Sequence, residues 1–173
     1  VKVIDADGDY VIGTNGAEPD TTIDLTFLGG PPLPPAAPPV VLDLDGDGAE
    51  FLSLLAGVAF DYAGDGKAEG TAWVGSDDGL LAFDANGSGS VDSGSEIAFG
   101  DGDTTDLAAV AASHDSNADG VLDASDADFE NFGVWQDADS DGVSDAGEFH
   151  TLTELGIAAI SLTSDGKAYS AAN

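Results

Sequence analysis

The acidic side chains of this chain recur at a spacing suited to one kind of chemistry, the capture of a hard cation by oxygen. Eighteen of the 27 Asp fall into six clusters built on D-x-[DN]-x-[DNS]. Calcium asks for about six to eight oxygens at about 2.3–2.6 Å. A loop of about twelve residues supplies them with side chains at positions 1, 3 and 5, Gly at 6, a carbonyl at 7 and acids at 9 and 12. Loop 115–126 matches throughout, with Asp115, Asn117, Asp119, Gly120, the Val121 carbonyl, Asp123 and Asp126. Loop 137–148 repeats the pattern 22 residues on, with Asp137, Asp139, Asp141, Gly142, the Val143 carbonyl, Asp145 and Glu148. Glu148 can give two oxygens where the shorter Asp126 gives one. Seven matched positions recurring at one interval argue against plain solvated turns.

The remaining clusters depart from the pattern. Loop 84–96 offers Asp84, Asn86, Ser88, Gly89, the Ser90 carbonyl and Asp92, but its acid arrives one place late, as Glu96. A fourth loop carries Asp43, Asp45, Asp47 and Gly48. Its position 12 is Leu54, so its last ligands must come from Glu50 or another segment. Asp61, Asp65 and Gly66 begin a fifth, weakened by Ala63 at position 3, with Glu69 at position 9. A plain turn is its competing reading. Asp5, Asp7 and Asp9 form a sixth, either a calcium tie at a domain junction or a hairpin turn. At least two calcium ions, and four to six by this reading, are expected.

Other reactive residue types are sparse. His114 and His150 read as surface residues, Trp73 and Trp135 as core anchors. Asp77, Asp78 and Gly79 make either a turn or a site carboxylate pair. Paired carboxylates can perform acid–base work, but with 34 acids the proximity of two proves nothing. No Cys nucleophile, G-x-S-x-G, H-E-x-x-H or phosphate loop occurs, so no catalytic residue is assigned and no enzyme is expected.

The loops need a scaffold, and the expected fold class is α+β. A small irregular β-sheet is expected from the first half and a closing strand, with loop–helix (EF-hand/dockerin-like) calcium units on one side. Strands are expected in 40–42, 51–60, 71–74 and 80–83, each apolar or β-branched and bounded by Asp/Gly turns. Asp106 can cap a helix bearing Leu107, Val110 and Ala111. Ser125 and Asp128 resemble a capping box before Phe129, Phe132 and Trp135. Phe149, Leu152 and Leu155 suggest a last helix stopped by Gly156, and residues 157–163 a closing strand. Residues 1–28 read as short strands. Residues 29–39 hold six of the seven prolines and read as a stiff spacer before a module spanning 40–173.

Charge bounds the partners. The 173 residues carry 34 acids against three Lys and no Arg, a formal net charge of −31. Nucleic acid and anionic membrane surfaces are excluded as partners. A hydrophobic fraction of 42% separates the chain from acidic disordered tails. No apolar run approaches the ~20 residues of a membrane-spanning helix, so no direct membrane insertion is expected. The absence of Cys leaves no disulfide framework. The chain begins at Val1 and reads as a monomeric piece of something longer.

Residues 40–51, 71–97 and 115–157 resemble the calcium-dependent self-processing module of FrpC-type RTX proteins. They are still more similar to the related domain of very large RTX adhesins of Gram-negative bacteria. Residues 1–28 resemble, more weakly, the tail of an Ig-like or VCBS-type repeat. The self-processing branch implies cleavage at an Asp-Pro bond at the module's N-terminal edge. There the Asp carboxylate attacks its own carbonyl, and a lysine amine can capture the anhydride. Here Pro38 stands at that Asp's place, and the one acid–Pro bond is Glu18 to Pro19. The adhesin branch implies a calcium-dependent module that binds a peptide or protein on another cell. It also implies an extracellular, type I-secreted location and a role in adhesion and biofilms. A calcium-clamped spacer is the further alternative.

Overall fold

Leu80, Leu81, Ala82 and Phe83 are apolar in succession, so a strand through them must be covered on both faces. The computed structural model describes residues 3–4, 10–11, 39–101 and 103–164. The chain forms two compact units, Val1–Pro34 and Pro35–Asn173. In the first, β1 (Val3–Ile4) pairs antiparallel with β2 (Tyr10–Val11). Asp5, Asp7, Asp9 and most of the proline-rich segment lie outside the described residues.

In the second unit the strands are β3 (Val41–Leu42), β4 (Phe51–Leu52), β5 (Ala59–Phe60), β6 (Glu69–Gly70), β7 (Trp73–Val74) and β8 (Gly79–Phe83). They continue with β9 (Val121–Asp123), β10 (Phe132–Trp135), β11 (Phe149–Thr151) and β12 (Ala159–Ser161). One helix, α1 (Asp106–His114), precedes β9. The main sheet is four-stranded and antiparallel in the order β11-β10-β8-β3. Its register sets Leu80 opposite Trp135 and Phe83 opposite Phe132. Separate two-stranded ladders join β4 to β7, β5 to β6 and β9 to β12.

Period two along β8 and β10 divides the core. Leu80, Ala82 and Trp135 join Phe60, Trp73, Val74, Val91 and Ile97 in one cluster. Leu81, Phe132 and Val134 join Val110, Leu122, Phe129 and Leu152 in the other, with Phe83 packed against it. Gly133 is required where it stands, because a Cβ there would run into Phe149 and the His150 carbonyl.

The unit is mostly small antiparallel sheets with a single described helix, which fits α+β or mainly-β, and several expectations change. The helix expected around Phe129 is a 3₁₀ turn, Phe129–Asn131, followed by β10. The helix expected over Phe149 to Leu155 is β11 followed by turns, so His150 lies on a strand. Burial on two opposite faces overrides the three-residue spacing in both places. No helix stands between loops 115–126 and 137–148, so the EF-hand/dockerin-like units are not observed. The closing strand β12 pairs with β9 rather than with strands of the first half. The cap of α1 is Thr105, whose Oγ1 accepts the Ala108 N–H at 3.3 Å. Asp106 is instead buried and accepts the Gly100 N–H at 2.6 Å.

Candidate metal centre

Four of the described acidic loops leave the end of a strand and one leaves a helix. Loop 43–48 follows β3, loop 61–66 follows β5, loop 84–96 follows β8, loop 137–148 follows β10, and loop 115–126 follows α1. One turn recurs in all five. Position 4 is left-handed in each, occupied by Gly46, Gly64, Gly87, Ala118 and Ser140. Position 6 is left-handed Gly in each. That backbone folds successive N–H groups onto the first carboxylate. Asp137 accepts from Asp141 and Gly142 at 3.2 and 2.8 Å, and Asp115 from Asp119 and Gly120 at 3.2 and 2.8 Å. Asp84 accepts from Ser88 and Gly89, both at 2.9 Å, and Asp61 from Asp65 and Gly66 at 3.1 and 2.6 Å. Asp43 is held similarly by Gly46 and Gly48 at 2.7 and 3.2 Å.

A second carboxylate closes four of the loops from behind. Glu148 accepts the N–H groups of Ala138 and Asp145 at 3.0 and 2.9 Å. Asp126 accepts those of Ser116 and Asp123 at 2.7 and 3.0 Å. Glu96 accepts those of Ala85 and Asp92 at 3.3 and 2.9 Å. The one-place lateness of Glu96 is absorbed by the 3₁₀ turn Gly94–Glu96. In loop 43–48 the same role falls to Asp78, which accepts the N–H groups of Leu44 and Glu50 at 3.3 and 2.8 Å. Asp78 is 0% exposed and lies 34 residues beyond Leu44. Local spacing could not identify it; the acid pair beside Gly79 was the only signal.

Glu50 does not close the loop. It is half-buried, with Oε2 shielded and without a hydrogen-bond partner. Burial, with the charges of Asp47 and Asp78 beside it, pushes its carboxyl up to about 7. Asp47 is raised as well, chiefly by its hydrogen bond to Asp45. Backbone donors, above all Asp123 N–H, hold Asp126 below the usual carboxylate range. Burial pushes Asp137 upward against the donors around it.

The loops differ in how tightly their acids converge. Carboxylate oxygens of Asp43, Asp45 and Asp47 lie within 4.8 Å of one another, as do those of Asp137, Asp139 and Asp141. In loop 115–126, Asn117 donates to Asp119 at 3.0 Å, and in loop 84–96, Asn86 donates to Asp92 at 2.9 Å. In loop 61–66, Lys67 Nζ sits 2.8 Å from Asp65. His114, expected at the surface, is wedged against Phe83 and Phe132 and pairs with Asp128 at 2.9 Å. Trp73 and Trp135 are buried core residues, as expected.

The donor set fits calcium. It consists of hard oxygens. The closing acids Asp78, Glu96, Asp126 and Glu148, and the first acid Asp137, are buried. Among the described residues no Lys or His pairs with any of them. Burying charge without a counter-charge is costly, and backbone N–H groups offset it only in part.

The family model of the SPM domain matches residues 40–173. Over 135 residues, 72% of this chain, the sequence is 44% identical to the iron-regulated protein FrpA of Neisseria meningitidis serogroup C. The chain spans 12% of that relative's length. Through residues 40–173 the chain belongs to the SPM-domain family, as an FrpA-like, RTX-related module.

Proposed function

We propose that this is a calcium-dependent ligand-binding module of a secreted bacterial RTX adhesin, folded by several calcium ions. The observation that carries the calcium reading is the set of buried closing acids with which no Lys or His pairs among the described residues. Asp137, Asp139, Asp141, Asp145, Glu148 and the Val143 carbonyl would hold one ion. Asp115, Asn117, Asp119, Asp123, Asp126 and the Val121 carbonyl would hold another. Loop 84–96 and loop 43–48 with Asp78 would hold two more. Sites in extracellular modules bind with Kd of about 10⁻⁴–10⁻³ M, so the fold would tighten outside the cell by mass action. Calorimetry with calcium, and thermal melts in millimolar calcium against EGTA, test this. An unchanged melting temperature rejects it.

Ligand binding finds support at β4, which pairs on one side with β7. Its own Phe51 and, just after it, Leu54 and Leu55 are exposed, Leu55 at 95%. An open strand edge beside apolar side chains suits an extended peptide. The ligand would be a peptide or protein on a partner cell. A calcium-dependent peptide pull-down decides this, and no retained peptide leaves the clamped spacer. The sequence resemblance to self-processing modules leaves one further reading, self-processing. It lacks its reacting group, because Pro38 replaces the Asp. A gel after calcium addition is expected to show one intact band, and fragments cut near Pro39 would restore processing.

A further inference from the structure

The chain has two tryptophans, and both indoles donate to one acidic loop. Trp73 Nε1 lies 2.6 Å from Asp137 Oδ2, and Trp135 Nε1 lies 3.3 Å from Glu148 Oε2. These are the first and the closing carboxylates of loop 137–148. The two rings meet edge to face at 5.3 Å, and both pack on Phe60, at 5.6 and 5.5 Å. The first carboxylates of the other loops, Asp43, Asp61, Asp84 and Asp115, are held by backbone N–H groups of their own turns.

We propose that Trp73 and Trp135 are positioning residues for a cation in loop 137–148. Through them, occupancy of this one loop is transmitted directly to the aromatic core. The inference rests on the calcium reading above. An indole N–H is a donor only, and a buried donor must keep an acceptor. Each indole therefore fixes one carboxylate oxygen and with it the direction of the lone pairs left for a cation, as outer-shell partners do at metal sites. Trp73 reaches this loop from 64 residues away, so the bond also ties β7 to the loop after β10. Movement of Asp137 or Glu148 toward a cation must move the rings, because the interior is close-packed.

The test is a calcium titration of the full chain, followed by calorimetry and by the two indole N–H resonances. Both resonances are expected to move in one binding step. Asp141→Asn should remove that step and Asp119→Asn should leave it. Trp73→Phe keeps an aromatic ring and is expected to weaken the same step about tenfold, Trp135→Phe, with its longer bond, about threefold. Calcium binding that leaves the indoles still, or moves them with the step lost in Asp119→Asn, overturns the inference alone. Absence of any calcium binding overturns the calcium reading and the inference with it. If the Phe variants do not fold, the indole resonances of the unsubstituted chain and of Asp141→Asn decide.

Discussion

Loop 137–148 and loop 61–66 share a turn and little else. Both hold the first Asp in backbone N–H groups, and both put left-handed residues at positions 4 and 6. In loop 137–148 that Asp is buried, two further Asp converge on it, and Glu148 closes the loop. In loop 61–66 position 3 is Ala63, and Lys67 occupies an oxygen of Asp65. What the two turns share in sequence is Asp at positions 1 and 5 and Gly at position 6. Loop 137–148 adds converging and closing carboxylates to that pattern.

Removing closure from the strong loop should have the largest effect. Glu148→Ala leaves the N–H groups of Ala138 and Asp145 and the Trp135 indole without their acceptor. A loss of about 3 kcal/mol in urea unfolding with calcium present is expected, along with one calcium step in calorimetry. Asp78→Ala should follow, since it strands the N–H groups of Leu44 and Glu50 at the two ends of the 43–48 turn. A loss of about 2 kcal/mol is expected, and one calcium step should vanish although no residue of that loop has changed. Glu50→Gln should act through pH in EGTA. The folded state holds the Glu50 proton up to about pH 7, against an ordinary value of 4.5. Stability from this group is full below about 4.5 and is lost as pH rises toward 7. The variant should melt above the unsubstituted chain at pH 8 and show no such slope, to be checked by melts across that range. Asp126, held low, acts oppositely and only at more acid pH. Lys67→Ser should be smallest, within about 0.5 kcal/mol, because the pair it breaks is exposed. A new calcium step in that variant would show that the lysine, rather than the missing ligands, had kept loop 61–66 from binding.

The five described loops were legible because their logic is local. The first Asp and the Gly at position 6 lie within six residues of one another, and the left-handed turn at that Gly follows from its missing Cβ, whereas nothing in the sequence marked Ala118 and Ser140 as left-handed. Of the strands expected in the first half, those within 40–42, 71–74 and 80–83 are present for a similar reason, since turn residues bound each apolar run, whereas 51–60 is split into β4 and β5 by a 3₁₀ turn, Leu54–Ala56. Spacing misled where two faces of a sheet were buried together. Phe129, Phe132 and Trp135 recur every third residue as a helix would have them. Phe132 and Val134 enter one cluster and Trp135 the other, and only a strand divides them so.

By itself, the sequence determined where the five described acidic turns lie and that a Gly stands at the sixth position of each. Tertiary structure decided which acids are buried, that Asp78 closes a loop 34 residues behind it, and that both tryptophans reach the same loop. The physical reason is range. Turn conformation is set by residues a few positions apart. Burial and the closing hydrogen bonds are set by which strands pair, and pairing is a property of the whole sheet.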